Sequence, residues 1–144
     1  MGCDLCLYVP KNGDEDCGMS YSTFNRVRTS IIQLYLEKMG VTVDIEDNEV
    51  FAYSMGIVSD TLWKRVSDAL AGIDSPEAAG MLAFWNHSDC EGSYWTEDCK
   101  DIAKGIKMIL NMFDKDDDED KGWAERLMEL FDAAGRNEGI VEVC

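Results

Sequence analysis

One histidine and six cysteines are the residues of this chain best suited to chemistry, and three of them crowd into the segment WNHSDCEGSYWTEDC. His87 and Cys90 stand in an H-x-x-C relation, and Cys99 follows at the start of the next predicted helix. An imidazole nitrogen and two thiolates in one loop-to-helix corner could supply three of the four tetrahedral ligands of Zn2+. A fourth must come from elsewhere: Cys3, Cys6, Cys17 and Cys144 are the candidates. Cys3 and Cys6 form a C-x-x-C, but CDLC has no glycine to fold it into a knuckle. On a strand the two thiols would point to opposite faces, so only one of them would reach such a site. Six cysteines are many for a chain read as cytoplasmic, where reducing conditions discourage disulfides, and this makes metal binding the first functional question.

Two other chemistries fit the same segment less well. Counted from His87, a calcium-loop frame puts Asp89 third, Glu91 fifth, Gly92 sixth and Asp98 twelfth. Imidazole is a poor first ligand for a hard cation, and Asp98 is one methylene short of the usual bidentate Glu. A Cys–His nucleophile pair would need a thiolate, which Asp89, Glu91, Glu97 and Asp98 oppose by charge repulsion. With no oxyanion-hole motif, phosphate loop or paired-carboxylate signature, the chain reads as a non-enzyme.

The elements that must position this corner follow from periodicity. The opening GCDLCLYVP reads as a short strand ended by Pro10, and residues 11–20 as a Gly- and Asp-rich loop. Phe24, Val27, Ile31 and Leu34 recur at helical spacing before Gly40. Val41, Val43 and Ile45 alternate with polar residues and predict a strand, paired as a hairpin with residues 50–53. Leu62, Val66 and Leu70 mark a second helix, Ser75-Pro76 opens a third through Trp85, and Thr96 caps a fourth carrying Ile102, Ile106 and Ile109. Trp123, Leu127, Leu130 and Phe131 mark a last helix stopping at Gly135, and GIVEVC reads as a terminal strand. The expected architecture is a single α+β domain over residues 1–144, with a small antiparallel sheet packed against about five helices.

Charge sets the class of partner. The 144 residues hold 29 Asp and Glu against 13 Lys and Arg, a formal charge of −16, yet 46% of them are hydrophobic, enough to build a core beneath an acidic coat. Direct binding to nucleic acid is excluded on electrostatic grounds, since that affinity comes from Lys and Arg displacing counterions. No run approaches the ~18 to 20 apolar residues of a membrane span, and MGCDLC lacks the Ser or Thr and the basic helper of a lipidation signal. The densest acidic run is Asp114, Asp116, Asp117, Asp118, Glu119 and Asp120, interrupted by Lys115. It reads as a solvated loop leading into a helix, or as a negative surface that imitates a nucleic-acid backbone and steers a basic protein groove.

The opening MGCDLCLYV and the segment NHSDCEGSYWTEDCKDIA resemble small acidic proteins of phages and prophages, which often start MGCDI and carry HSDC-[DE]-G before a helix. The resemblance covers the first ten residues and roughly residue 84 to the C-terminus; Leu5-Cys6 departs from the familiar pair after MGCD. A His/Cys metal corner with strong acidity is similar to a metal-containing anti-CRISPR inhibitor of a type II-A Cas9. The resemblance implies a zinc-stabilised protein that binds the nuclease and blocks guide or target-DNA engagement. It carries His87, Cys90 and Cys99, with Cys3 from the opening, as the metal set.

Overall fold

The computed structural model describes residues 2–9, 13–54, 60–87, 92–114 and 118–143. Strand β1 (Gly2–Val9) turns back as β2 (Gly13–Ser20), with Gly2 opposite Ser20 and Val9 opposite Gly13. The loop expected over residues 11–20 is therefore mostly strand. An edge strand paired on one side tolerates the acids and glycines that argue against a central one. Along its other side β1 pairs antiparallel with β4 (Ile140–Val143), Leu5 opposite Val143 and Leu7 opposite Val141. The two-residue β3 (Ser93–Tyr94) closes the order β2-β1-β4-β3. The α+β class and the terminal strand are as the sequence implies.

Helix α1 (Tyr21–Lys38) begins where the Ser20 hydroxyl accepts the Thr23 amide at 3.1 Å, and it buries Phe24, Val27, Ile31, Ile32, Tyr35 and Leu36. It stops before Gly40, whose φ of 72° is a left-handed conformation open to glycine. The hairpin expected next does not form. Residues 41–46 keep the strand-like alternation of half-buried Val41, Val43 and Ile45, but residues 47–54 are helical, as α2 (Asp47–Ser54). Capping chemistry decides this. Glu49 reaches back to accept the Glu46 amide, Asp47 and Glu49 lie at the positive end of the helix, and Arg65 clasps both the Glu49 carboxylate and the Asp44 carbonyl.

Helix α3 (Asp60–Ala71) and α4 (Pro76–Asn86) follow, the second capped by Ser75, whose hydroxyl accepts the Ala78 amide at 3.1 Å. Helix α5 (Thr96–Ile109) runs into a 3₁₀ turn at Leu110–Met112, and α6 (Asp118–Arg136) completes six α-helices among the described residues. Thr96 does not cap α5 as expected. Trp95 is the N-cap, and the Thr96 hydroxyl instead donates to the Gly139 carbonyl at the entrance to β4. Helices α4 and α5 touch closely, because a Cβ on Gly80 would lie 2.6 Å from the Asp101 carbonyl carbon.

The core where helices meet sheet is aromatic. Phe84 sits edge-on to Phe24 (centroids 6.1 Å) and to Phe131 (5.8 Å), and Tyr94 meets Phe131 at 5.0 Å. Each fully buried large side chain of this kind contributes roughly 1.5–3 kcal/mol against leaving it in water. Val141 and Val143 of β4 cover the sheet side of the same core. Among the described residues no helix is long and apolar enough to cross a membrane.

Candidate functional site

The His87 corner is assembled from the end of α4, the strand β3 and the start of α5. His87 is the C-cap of α4, its amide donating to the Ala83 carbonyl at 3.1 Å. Its ring stacks on Tyr94 with centroids 3.9 Å apart and planes 23° from parallel. Gly92 makes room for that ring: its φ is 97°, and a Cβ there would come within 3.0 Å of His87 Cε1. His87 Nε2 lies 3.1 Å from the Ser93 carbonyl, a contact in which Nε2–H donates. The Gly92 carbonyl accepts the Val143 amide, so the corner is tied to β4, one of the two inner strands of the sheet.

Cys99 contacts the backbone of the same tyrosine. It is fully buried, and its thiol donates to the Tyr94 carbonyl across 3.5 Å. Burial pushes its pKa up to about 12, and Asp98 adds to the rise, so in neutral water Cys99 carries its proton. A buried, protonated thiol is a poor nucleophile.

Of the four nominated metal ligands, His87 and Cys99 are thus gathered around Tyr94. Cys3 lies in β1 opposite Met19, with Cys6 opposite Asp16 and Glu142 on the other parity of the strand, and Cys90 lies outside the described residues, as does Cys144. Cys17, opposite Leu5, is buried among apolar neighbours. Among the described residues no three His, Cys, Asp or Glu side chains converge as a ligand set. One ring nitrogen of His87 is held by the Ser93 carbonyl, an arrangement common to zinc-binding histidines. Cys99 fits a cation only after losing its proton and its bond to Tyr94.

The residue that sequence reasoning missed is Arg28. It is buried in the core, and its guanidinium donates to the His87 carbonyl at 2.7 Å, the Phe84 carbonyl at 3.1 Å and Asn25 Oδ1 at 2.8 Å. It also lies over the Phe24 and Tyr53 rings, at 4.8 and 5.6 Å from their centroids. A cation at the carbonyl end of α4 complements that helix's negative pole and fixes where His87 leaves it. The signal was present in the sequence: Arg28 stands in the apolar stripe of α1, four residues after Phe24 and one after Val27.

The acidic run is divided by the fold. Asp114 is exposed after the 3₁₀ turn, Asp116 and Asp117 lie outside the described residues, and Asp118, Glu119 and Asp120 open α6. Glu119 is exposed, while Asp120 accepts a 2.9 Å bond from Arg26 and so is partly spent inside the molecule. Four of the 13 basic residues gather elsewhere. Lys100, Lys104, Lys107 and Arg136 line a groove of about 930 Å³ between α5 and α6, interleaved with Glu97, Asp101, Glu129 and Asp132. Compared with protein-family models, curated proteins and solved structures, the chain matches none.

Proposed function

We propose that the protein is a non-enzymatic inhibitor in the cytoplasm that docks through its acidic surface on a basic nucleic-acid-binding protein. The observation that carries this reading is the formal charge of −16 on a chain with a well-filled core. Such a surface repels polyanions and is drawn to the grooves that polyanions occupy. The confinement of four basic residues to the neutralised α5–α6 groove leaves Asp44, Glu46, Asp47, Asp114 and Glu119 as exposed acids elsewhere. The His87 corner combined with this acidity is similar to a metal-containing anti-CRISPR inhibitor, and that resemblance implies a type II-A Cas9 as the partner, with blocked guide or target-DNA engagement as the mode of inhibition.

Zn2+ belongs to the same proposal. His87, Cys90 and Cys99, with Cys3, would hold it, and the ion would brace the junction of α4, β3 and α5 while taking no part in chemistry. Elemental analysis of the purified protein tests this, together with His87→Ala and Cys90→Ala. Both variants should lose metal and melt at lower temperature, and unchanged metal content in both would sink the site. Capture of Cas9 at rising salt tests the partner, since electrostatic docking weakens as salt screens it. Reversal of Asp116, Asp117 and Asp118 to Lys should reduce inhibition, and full activity would place the interface elsewhere. A zinc-bound chain that never captures Cas9 would favour the alternative, a small phage-type metal-binding or metal-sensing domain. The carbonyl-held His87 ring is the observation on its side.

A further inference from the structure

Residues 41–46 carry a strand's pattern without a strand's partner. Val41, Val43 and Ile45 are half-buried against the core, while Thr42, Asp44 and Glu46 are exposed. The Val41 amide donates to the Leu36 carbonyl and the Asp44 carbonyl accepts from Arg65, which pins the segment at both ends. Among the described residues the amides of Thr42, Val43, Asp44 and Ile45 donate to no other group. A row of unpaired backbone donors beside alternating apolar side chains is a template for adding another strand.

Beside this segment lies a groove of about 320 Å³, lined by Gln33, Leu36, Glu37, Val41, Val43 and Ile45. A second groove of about 310 Å³ adjoins it across α1, sharing Gln33 and Glu37 and reaching Met112, Phe113 and Asp114. The first is lined mainly by apolar side chains and the second mixes Leu34, Met112 and Phe113 with polar ones; their only charged lining residues are Glu37 and Asp114, and no Lys or Arg among the described residues lines either.

We propose that residues 41–46 form an open strand edge onto which an extended segment of a basic partner adds, its apolar side chains entering the groove and its Lys or Arg side chains meeting Asp44 and Glu46. The sign of the occupant's charge rests on the acidic-docking reading above. A second copy of this chain is disfavoured as occupant, because antiparallel self-pairing about Ile45 would set Asp44 of each copy against Glu46 of the other, on two molecules of charge −16 each. Like charges directly opposite on neighbouring strands repel.

The test uses the intact protein and a fluorescent peptide of alternating Lys and Val, with an isomer of the same composition whose lysines form one block. The alternating peptide should bind by anisotropy, slow amide exchange at residues 42–45, and release with salt. Asp44→Lys combined with Glu46→Lys should weaken it about tenfold, two exposed attractions having become repulsions. Because exchange is read on the unmodified chain, the outcome does not depend on the variant folding. Equal binding of the block isomer, or unchanged exchange at residues 42–45, overturns the proposal. Protection of the same amides without peptide, with a dimer in sedimentation, overturns it in favour of a second copy. A chain that captures Cas9 but ignores the peptide loses only the strand edge, and one that binds the peptide but not Cas9 loses only that partner.

Discussion

Replacing Arg28 by Met keeps the apolar stem and removes the guanidinium that holds the end of α4. Three hydrogen bonds go with it, to the Phe84 and His87 carbonyls and to Asn25 Oδ1, together with its contacts over Phe24 and Tyr53. Hydrogen bonds to a charged group are worth roughly 1.5–3 kcal/mol each, and buried carbonyls left without a donor keep their desolvation penalty. Against this, the native fold bears the cost of burying a guanidinium, several kcal/mol, which Met avoids. The difference is a loss of about 3 kcal/mol, which for a domain of this size lowers Tm by roughly 10 °C. Urea unfolding followed by tryptophan fluorescence suits the measurement, because Trp85 stacks on Tyr53 at 4.8 Å beside the guanidinium. The midpoint should fall with the slope unchanged. Arg28→Lys should recover only part of the loss, since an ammonium cannot bridge two carbonyls and an amide with one planar fork. If Arg28→Met is as stable as the parent, burial of the cation outweighs its bonds and the account of Arg28 as the anchor of the His87 corner is wrong.

Three further outcomes follow from the packing. Gly80→Ala should destabilise by about 2 kcal/mol in thermal melts, the new Cβ forcing α4 away from the Asp101 backbone, while Gly122→Ala, with open space around it, should stabilise by about 0.5–1 kcal/mol. Ser75→Ala should cost about 1 kcal/mol by chemical denaturation, since it removes both the cap on Ala78 and the 3.1 Å contact with the Tyr35 hydroxyl. The Cys99 thiol ionises near 9 when unfolded and near 12 when folded, so the unfolded chain releases its proton first, and stability falls as pH rises through that window. Cys99→Ala should flatten the fall, and identical slopes for the two chains would contradict the burial of this thiol.

The helices were legible wherever a cap and a periodic stripe coincided. Phe24, Val27 and Ile31 before Gly40, and Ser75 with Pro76, marked α1 and α4 to within a few residues, while Ser20, the cap of α1, stands in the stretch that reads as a loop. Residues 41–53 misled because Val41, Val43 and Ile45 do alternate. What turned the following residues helical was capping, with Glu49 on the Glu46 amide and Arg65 bonding Glu49 and Asp44, and a residue contributed by another helix leaves no periodic mark. The strand at Gly13–Ser20 was hidden for the opposite reason, its composition being that of a loop while its pairing comes entirely from β1. At the corner itself, His87 and Cys99 each contact Tyr94, a residue that lies between them in the sequence. The parts played by Tyr94, whose ring stacks on His87 while its carbonyl accepts from Cys99, and by Arg28, bonded to the His87 carbonyl, depend on packing that spacing does not encode.

The place of β4 between β1 and β3 bears on how the molecule is made. Tyr8 pairs with Ile140, about 130 residues further along the chain. During synthesis the hairpin of β1 and β2 leaves the ribosome early, and one flank of β1 stays unclaimed until nearly all the described residues have emerged. Contacts of such long sequence separation slow folding and expose strand edges in the interval. The helices can collapse first, but the sheet, and with it the Gly92 carbonyl bond that seats the His87 corner, is completed only when residues 140–143 arrive. A nascent chain stalled before that point would have β3 unpaired and the Gly92 carbonyl without its Val143 donor.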